Sequence, residues 1–294
     1  MTLFRRYTIV STKMRDKTIC VTGGSGFIGT HLMRAIPWAH QFHFPHDDLR
    51  SMEDAYEFVS MWKPDVVFHL AAQSVVTNDK PLDSLTTNID GTYNILEACR
   101  IVGCVSSFVH ISTDKVYGNN AYAKTTDEFK GFDHPYSASK VCGDIIAQLY
   151  AGYYGLPVRV IRTGNIYGPG DTHFDRIVPG TIKAVLENRP LELRSDGKFM
   201  RDYIYVKDLI PAYLRIADEP PGIYNLGGEH RSVIEIVKLI LYLMGREDLQ
   251  PVILNSQKNE IPDQHVVDCP EWWKPATTLE DGLRETIAWY SSQA

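Results

Sequence analysis

Short apolar runs alternate with amphipathic stretches through the first half of the chain. The spacing of apolar positions in residues 27–36 and 88–102 predicts helices with one buried face. The apolar runs between these stretches are typical of parallel strands buried on both faces, and they comprise residues 18–22, 65–70, 107–111 and 158–162. Strands that alternate with helices predict an α/β fold built on a doubly wound parallel sheet with right-handed crossovers.

The second half of the chain follows a different pattern. Ten prolines between positions 169 and 275 break it into short pieces, and helices are predicted over residues 233–244 and 279–290. We therefore expect a first domain over residues 17–165 and a smaller α+β lobe over residues 166–294. Part of this lobe, residues 203–228, is expected to return to the sheet of the first domain.

Composition narrows the class of protein. The 294 residues are 44% hydrophobic and carry a formal net charge of -6, so charge gives no support to a nucleic-acid partner. No apolar stretch reaches the roughly 20 residues of a membrane helix. Five cysteines without a C-x-x-C spacing favour a reducing cytoplasm over a disulfide framework. No metal site is predicted, and the regularly spaced His40, His43 and His46 are expected to lie in a polar, partly exposed loop.

The segment before the first predicted strand is basic. Residues 1–17 hold five lysines and arginines, and their apolar pieces are too short for a secretory signal. We expect a loose leader here, with Met14 as an alternative to Met1 for the natural start of the protein.

A glycine-rich turn links the first predicted strand to the first predicted helix. The run Gly23-Gly24-Ser25-Gly26-Phe27-Ile28-Gly29 matches G-x-x-G-x-x-G and, from Gly24, G-x-G-x-x-G. Early glycines permit a tight turn, Gly26 lets the backbone approach a pyrophosphate, and Gly29 lets the helix pack closely on the sheet. The helix N-terminus adds free N–H groups that attract anions. This context predicts a Rossmann domain that binds a nicotinamide dinucleotide.

The second strand of the predicted nucleotide-binding half is short. An acidic residue about 20 positions beyond the glycines would hold the adenosine ribose. The candidates are Asp47 and Asp48, followed by Leu49. No pair of arginines marks a 2′-phosphate site, which favours NAD as the cofactor and leaves NADP as the alternative.

A tyrosine and a lysine lie four residues apart in the segment Tyr136-Ser137-Ala138-Ser139-Lys140. On a helix, residues with this spacing share one face. A free tyrosine has a pKa of about 10, and a nearby ammonium group stabilises the phenolate and lowers that pKa. The pair therefore predicts a base that acts on a hydroxyl group, with Lys140 also able to bond the ribose of the nicotinamide.

The glycine turn and the Tyr136/Lys140 pair, together with further runs, resemble the extended short-chain dehydrogenase/reductase family, of the NAD-dependent epimerase/dehydratase type. The other matching runs are His69-Leu70-Ala71-Ala72, Asn88 with Gly91-Thr92, Ser112-Thr113-Asp114, residues 162–168 and residues 201–208. The resemblance implies cofactor contacts from Gly23, Gly26, Phe27, Ile28, Gly29, Asp47, Asp48, Leu49, Leu70, Ala71, Ala72, Asn88, Ser112, Tyr136, Lys140 and Thr163.

Within that family, the run Thr113-Asp114-Lys115 looks most like the sugar-nucleotide 4,6-dehydratases. The dTDP-glucose enzymes carry a glutamate where this chain has Lys115, whereas CDP-glucose 4,6-dehydratases carry a lysine there. By contrast, Arg201-Asp202-Tyr203 looks more like enzymes that act on dTDP-, GDP- and UDP-sugars. The resemblance therefore implies a sugar-nucleotide substrate and leaves its base open.

The chemistry of a 4,6-dehydratase gives these residues distinct roles. Tyr136 would take the proton of the C4 hydroxyl, which Thr113 would hold, while hydride leaves C4 for the nicotinamide. Asp114 is the candidate acid at the C6 oxygen, and Lys115 is the candidate base at C5. The leading alternative is a sugar-nucleotide 4-epimerase, which needs Tyr136 and Thr113 only. A 4-keto sugar-nucleotide reductase and a cofactor-sensing regulator are further alternatives.

The resemblance also implies a substrate site and a partner. Residues expected to contact the sugar nucleotide are Gln73, Ser74, Asn165, Arg176, Arg194 and Arg201. The apolar stripes of residues 88–102 and 141–154 correspond to helices that pair across a two-fold axis in relatives, so we expect a homodimer.

Overall fold

The computed structural model describes residues 12–43, 47–74, 81–132, 134–256 and 261–293. Residues 1–11 of the expected leader and His46 lie outside these ranges. Thr12–Arg15 form one helical turn, α1, and the Met14 side chain is buried. The expectation of a loose leader is therefore wrong for residues 12–15, because Met14 belongs to the buried core.

Two compact units make up the chain. Among the described residues, the first comprises those within 12–116, 131–162 and 209–224, and the second comprises the others. Leu209–Tyr224, from the second half of the chain, are part of the first unit. Residues 117–130, which sequence analysis places in the first domain, belong to the second unit, because a strand within them pairs with a strand of that unit.

The first unit is built on alternating strands and helices. Numbered along the whole chain, its elements after α1 are β1 (Ile19–Thr22), α2 (Phe27–Ala35), β2 (His40–Gln41), α3 (Met52–Trp62), β3 (Val66–His69), α4 (Pro81–Leu85), α5 (Gly91–Val102), β4 (Ser107–Ile111), α6 (Pro135–Gly152), β6 (Val158–Thr163), α8 (Val206–Ile216) and β10 (Gly222–Leu226). Of these, β6, α8 and β10 each have one to three residues in the second unit.

The six strands form one sheet in the order β10-β6-β4-β3-β1-β2. The pairs from β6 to β2 are parallel, which confirms the predicted doubly wound α/β architecture. Residues of β1, β3 and β4 are buried throughout, as the continuous apolar runs require. The core of this unit includes Cys20, Phe58, Val67, Ile95 and Phe108.

The second unit mixes short strands with helices. Its elements are β5 (Asn120–Ala123), β7 (Asn165–Tyr167), α7 (Ile177–Leu186), β8 (Glu192–Leu193), β9 (Met200–Tyr205), β11 (Glu229–Ser232), α9 (Val233–Leu243), β12 (Val252–Ile253), β13 (Asp263–Val266) and α10 (Leu279–Ser291). The main sheet has the order β11-β9-β13-β5, with β7 also paired to β9. Tyr167, Ile182, Tyr203, Ile236 and Leu283 belong to its core.

Most predicted elements are confirmed to within one or two residues. The helix predicted from Asn88 is the clearest difference, because Thr86–Asp90 form a π-helical turn and α5 starts only at Gly91. Turns of this kind are frequent at functional sites. None of the helices in the described ranges has the length and apolar character that a membrane span requires. All five cysteines are free.

Candidate active site

The glycine turn has the geometry of an anion-binding loop. Gly23 has a φ of 70°, and a Cβ there would lie 2.6 Å from the backbone nitrogen of Ala71. A Cβ on Gly29 would lie 2.0 Å from the Gly23 oxygen, so the helix can approach the turn only without a side chain. Gly26 is the N-cap of α2, and no side chain caps the helix. The first backbone N–H groups of α2 can therefore bond a phosphate.

The segment directly after β3 lies close to the glycine turn. Leu70 donates its N–H to the Thr22 oxygen at 3.1 Å, and Ala71 donates to the Thr22 hydroxyl at 3.3 Å. Leu70, Ala71 and Ala72 are half-buried. Because these residues directly follow β3, they lie at the carboxyl edge of the sheet, where doubly wound folds bind their ligands.

Asn88 braces this edge from the π-helical turn. Its amide oxygen accepts the Gln73 N–H at 2.7 Å, and its amide nitrogen donates to the Gln73 carbonyl at 3.0 Å. The same nitrogen donates to the Ser139 hydroxyl at 2.8 Å, and Asn88 is 2% exposed. One buried amide thus links the segment that holds Gln73 and Ser74 to the helix that carries Tyr136.

The two acidic ribose candidates differ in their surroundings. Asp48 forms an ion pair with Arg50 at 2.6 Å, and this hydrogen-bonded pair lowers the pKa of Asp48. Asp47 instead lines a cleft of about 560 Å³ that Gln41, His43 and Trp62 also line. Leu49 is buried and its carbonyl accepts a hydrogen bond from Asn94. Asp47 is therefore better placed than Asp48 to receive a ligand.

The Thr113-Asp114-Lys115 run follows β4 and enters a 3-10 turn, Asp114–Tyr117. The Thr113 hydroxyl donates to Asp114 Oδ1 at 3.1 Å and accepts the Lys115 N–H at 3.4 Å. Asp114 is 3% exposed and Thr113 is 8% exposed, whereas Lys115 is half-buried. The Asp114 carboxyl group is thus buried and accepts a hydrogen bond from the neighbouring Thr113 hydroxyl.

Tyr136 and Lys140 lie on α6, as the four-residue spacing predicts. The helix starts with Pro135, and the His134 ring accepts the Tyr136 N–H at 3.1 Å as the N-cap. Lys140 donates to the Ile111 carbonyl at 2.7 Å, which ties it to the end of the strand that leads to Thr113. Burial lowers the pKa of Lys140 to about 8, and the charge of Asp144 acts in the opposite direction.

A buried ion pair that sequence analysis missed fixes this helix in place. Asp144 accepts two hydrogen bonds from the Arg162 guanidinium, both at 2.9 Å, and one from the Ser112 hydroxyl at 2.7 Å. The two charged side chains are at most 1% exposed. An arginine inside an apolar strand run was the available signal, because a buried charge needs a partner. The Ser112 hydroxyl is therefore a hydrogen-bond donor within this network.

Two buried histidines lie on the strands that end at the carboxyl edge of the sheet. His69 on β3 and His110 on β4 are register partners, and their rings stack with centroids 5.5 Å apart. His69 Nδ1 lies 2.7 Å from the Thr22 hydroxyl, and Nε2 lies 3.0 Å from the Thr92 hydroxyl. Burial, reinforced by the charge of Lys140, lowers the pKa of His69 to about 3. The same causes lower the pKa of His110, so both rings are neutral at physiological pH.

The remaining candidates lie in the second unit. Thr163 is 3% exposed at the end of β6, and Asn165 on β7 is half-buried and pairs with Tyr203. Arg201 is 3% exposed and donates to the Met200 carbonyl at 2.7 Å.

Arg176 and Arg194 differ from Arg201 in exposure. Arg176 forms an ion pair with the buried Asp171 at 3.0 Å, and Arg194 is exposed. Thr113, Asp114, Lys115, Tyr136 and Lys140 are all part of the first unit, whereas Asn165 and the three arginines are part of the second.

Comparison with known proteins finds relatives that match most of the chain. The model of the NAD dependent epimerase/dehydratase family matches residues 19–227. The dTDP-glucose 4,6-dehydratase of Haemophilus influenzae is 30% identical over 331 residues, with 92% of this chain and 97% of that protein covered. A trifunctional UDP-glucose 4,6-dehydratase/UDP-4-keto-6-deoxy-D-glucose 3,5-epimerase/UDP-4-keto-L-rhamnose-reductase of Arabidopsis thaliana is 28% identical over 322 residues. That match covers 95% of this chain, which spans 48% of the plant protein.

A solved structure supports the same assignment. The UDP-glucose 4-epimerase of Thermotoga maritima with UDP-glucose has a TM-score of 0.85 at 26% identity, with 94% of this chain and 99% of that chain covered. The family match spans the glycine turn, the Thr-Asp-Lys run and the Tyr136/Lys140 helix. The chain therefore belongs to the NAD-dependent epimerase/dehydratase family.

Proposed function

We propose that the protein is an NAD-dependent sugar-nucleotide 4,6-dehydratase that produces a 4-keto-6-deoxy sugar nucleotide. The observation that carries the proposal is the turn after β4, which places buried Asp114 between Thr113 and half-buried Lys115. Lys140 reaches the carbonyl at the end of the same strand. Hydride transfer at a sugar hydroxyl needs only the tyrosine and lysine, so the additional acid and base candidates favour loss of water.

Each side chain has a defined task in this reaction. Tyr136 takes the proton of the C4 hydroxyl, and Thr113 holds that hydroxyl. The resulting C4 ketone acidifies the hydrogen on C5, which Lys115 removes as a proton. Asp114 protonates the C6 oxygen, which leaves as water. Lys115 later returns a proton to C5.

The glycine turn fits the dinucleotide. Gly26 is exposed at the uncapped start of α2, and a Cβ on Gly23 or Gly29 would meet backbone atoms within 3 Å. The turn would hold the pyrophosphate of NAD, and the bound nicotinamide would supply an acceptor for the hydride from C4 and a donor of that hydride to C6. Asp47 is the candidate that binds the adenosine ribose, because the Asp48 carboxylate already accepts hydrogen bonds from Arg50.

Relatives suggest the class of substrate. The names of two relatives state dTDP-glucose and UDP-glucose as substrates, so we propose a hexose linked to a pyrimidine nucleoside diphosphate. Arg201 is the candidate for its phosphates, because a planar guanidinium binds phosphate at two points. Asn165 is the candidate contact to the sugar diphosphate, and Gln73 and Ser74 are the candidates for the sugar. Arg176 and Arg194 are secondary candidates for phosphate.

We further propose a homodimer. Large apolar side chains on α5 and α6 are exposed in the single chain, among them Tyr93 (47%), Ile101 (50%), Ile145 (47%) and Leu149 (51%). Ile145 and Leu149 are four residues apart and share one face of α6. Light scattering tests this proposal, and a monomer at micromolar concentration would overturn it.

A 4-epimerase is the second candidate, favoured by the match to the Thermotoga epimerase. Incubation of the purified protein with dTDP-, UDP-, CDP- and GDP-sugars separates the two, with product mass as the readout. We expect the product to be lighter by one water. An unchanged mass with altered chromatographic behaviour would instead establish an epimerase, and consumption of a 4-keto sugar with a reduced dinucleotide would establish a reductase.

A further inference from the structure

Three polar side chains stand in a row across the main sheet of the second unit. Asp202 on β9 and His230 on β11 are register partners. On the other side of β9, Gln264 of β13 pairs with Arg201, so His265 comes next to Asp202. Side chains at neighbouring register positions share one face of a sheet. The two histidines therefore flank a single carboxylate.

Distances within this row are short. Nδ1 of His265 lies 2.6 Å and Nδ1 of His230 lies 3.1 Å from the same oxygen, Oδ1 of Asp202. The two imidazole rings are 4.5 Å apart between centroids. One potential ligand atom from each residue lies within 4.8 Å of the other two. Two nitrogens and one oxygen thus converge on one point.

The carboxylate of Asp202 is held rigidly. It is fully buried, and its second oxygen accepts the Val266 N–H at 3.0 Å. A Cβ on Gly164 would lie 2.7 Å from the Asp202 Cβ, and a Cβ on Gly227 would lie 3.4 Å from Oδ2. Two glycines therefore make room for this carboxylate, with Oδ1 left towards the histidines.

A second carboxylate lies beside His230. Asp263 Oδ1 lies 3.0 Å from His230 Nε2, the ring nitrogen that faces away from Asp202. Asp263 is two positions before His265 on β13, so both project from the same face of that strand. Histidines that bind metals commonly hold a carboxylate at their other nitrogen, which fixes the ring and its tautomer.

We propose that Asp202, His230 and His265 form a binding site for a divalent transition-metal ion, with Zn²⁺ as the best fit. Imidazole nitrogen and carboxylate oxygen are ligands that Zn²⁺ prefers. Bonds of about 2.0–2.1 Å in a tetrahedron place ligand atoms about 3.3 Å apart. The two nitrogens therefore need to move from Oδ1 by less than about 1 Å to admit the ion. No metal site is predicted from the sequence, because only strand pairing brings these three residues together.

The site leaves one coordination position for solvent. The His230 and His265 side chains are 26% and 27% exposed, so water or an external ligand can complete the tetrahedron. All three ligands come from neighbouring strands of one sheet. Ligands on strands are more rigidly placed than ligands on loops, and the ion would stabilise the pairing of β11, β9 and β13.

Equilibrium dialysis of the chelator-treated full chain against ZnCl₂ tests the proposal, with metal quantified by mass spectrometry. We expect the parent protein to bind one more ion per chain than either His230→Gln or His265→Gln. His173→Gln, which changes a half-buried histidine elsewhere in the second unit, should bind as the parent does. Asp263→Asn should weaken binding by about 10–100-fold. Zn²⁺ should raise the unfolding temperature of the parent by on the order of 5 °C.

Equal zinc content in the parent and both glutamine variants would overturn the proposal, as would a parent that binds no ion. The Co²⁺ form of the parent gives a test that does not depend on the folding of any variant. Co²⁺ at a tetrahedral site of this kind should produce intense visible absorption, and a spectrum identical to that of hydrated Co²⁺ would exclude the site. None of these readouts uses catalysis, so their outcome is independent of the proposed dehydratase activity.

Discussion

Asp144 on α6 and Arg162 on β6 form a two-point ion pair inside the first unit, with both N–O distances at 2.9 Å. Ser112 and Gln148 complete the shell around the carboxylate at 2.7 Å each. Lys140 precedes Asp144 by one helical turn. The ion pair therefore positions the helix that carries Tyr136 and Lys140, although neither partner needs to touch the substrate.

Asp144→Asn should destabilise the protein strongly, because it removes one charge of the pair and leaves Arg162 buried without compensation. We expect a loss of about 3–5 kcal/mol in the free energy of unfolding, measured by urea denaturation. Addition of Arg162→Met should restore part of that loss. Glu280→Gln is the control, since its partner Arg284 is 54% exposed, and it should cost less than about 1 kcal/mol. Equal effects of Asp144→Asn and Glu280→Gln would contradict the assigned role.

Gly29→Ala should disrupt the start of α2. The new methyl group would lie 2.0 Å from the Gly23 carbonyl oxygen, so either the turn or the helix must move. We expect a loss of about 3 kcal/mol or more in stability together with loss of NAD binding, measured by thermal unfolding with and without NAD. Gly152→Ala, where a Cβ meets nothing within 4 Å, should leave both unchanged. Normal NAD binding by Gly29→Ala would show that the turn does not carry the pyrophosphate.

The fold and the glycine turn could be predicted because they depend on local patterns. Continuous apolar runs identify buried strands, and the strand–glycine–helix order identifies the turn. The Asp144–Arg162 pair and the Asp202–His265 contact could not be predicted. Their partners are 18 and 63 residues apart, and only the register of paired strands and the packing of α6 bring them together.

Part of the geometry of the candidate site was predictable for the same reason. Tyr136 and Lys140 share a helix, and Thr113, Asp114 and Lys115 are consecutive, so their proximity is set within each segment. The sequence did not indicate how Lys115 differs from Asp114 in burial. Nor did it distinguish Asp47, which lines a cleft, from Asp48, which Arg50 neutralises.

His69 should make stability fall at acidic pH. The unfolded chain takes up a proton on this ring near pH 6.5, whereas the folded protein does so only near pH 3. The stabilising contribution is therefore complete above pH 6.5 and is lost as the pH falls towards 3, by about 1.4 kcal/mol per pH unit. The difference in unfolding free energy between the parent and His69→Gln should shrink with this slope. A difference that stays constant between pH 6.5 and 4 would contradict the shift.

Lys115→Met should stop the loss of water without preventing cofactor binding, because the side chain is assigned to C5 and not to the dinucleotide. We expect at least a 100-fold fall in the rate of water loss, measured by product mass, with NAD affinity unchanged. Lys124→Met, which alters an exposed lysine, should react as the parent does. Dehydration by Lys115→Met at the parent rate would remove Lys115 from the mechanism.

The central claim is that Thr113, Asp114 and Lys115 turn oxidation at C4 into elimination across C5 and C6. Incubation of the parent protein with dTDP-glucose and UDP-glucose in D₂O, followed by mass spectrometry, tests it most directly. The C5 hydrogen leaves as a proton and is replaced from solvent, while the hydride from C4 reaches C6. The predicted product has lost one water and carries one deuterium, at C5. A product of unchanged mass without deuterium would contradict the claim and identify the protein as an epimerase.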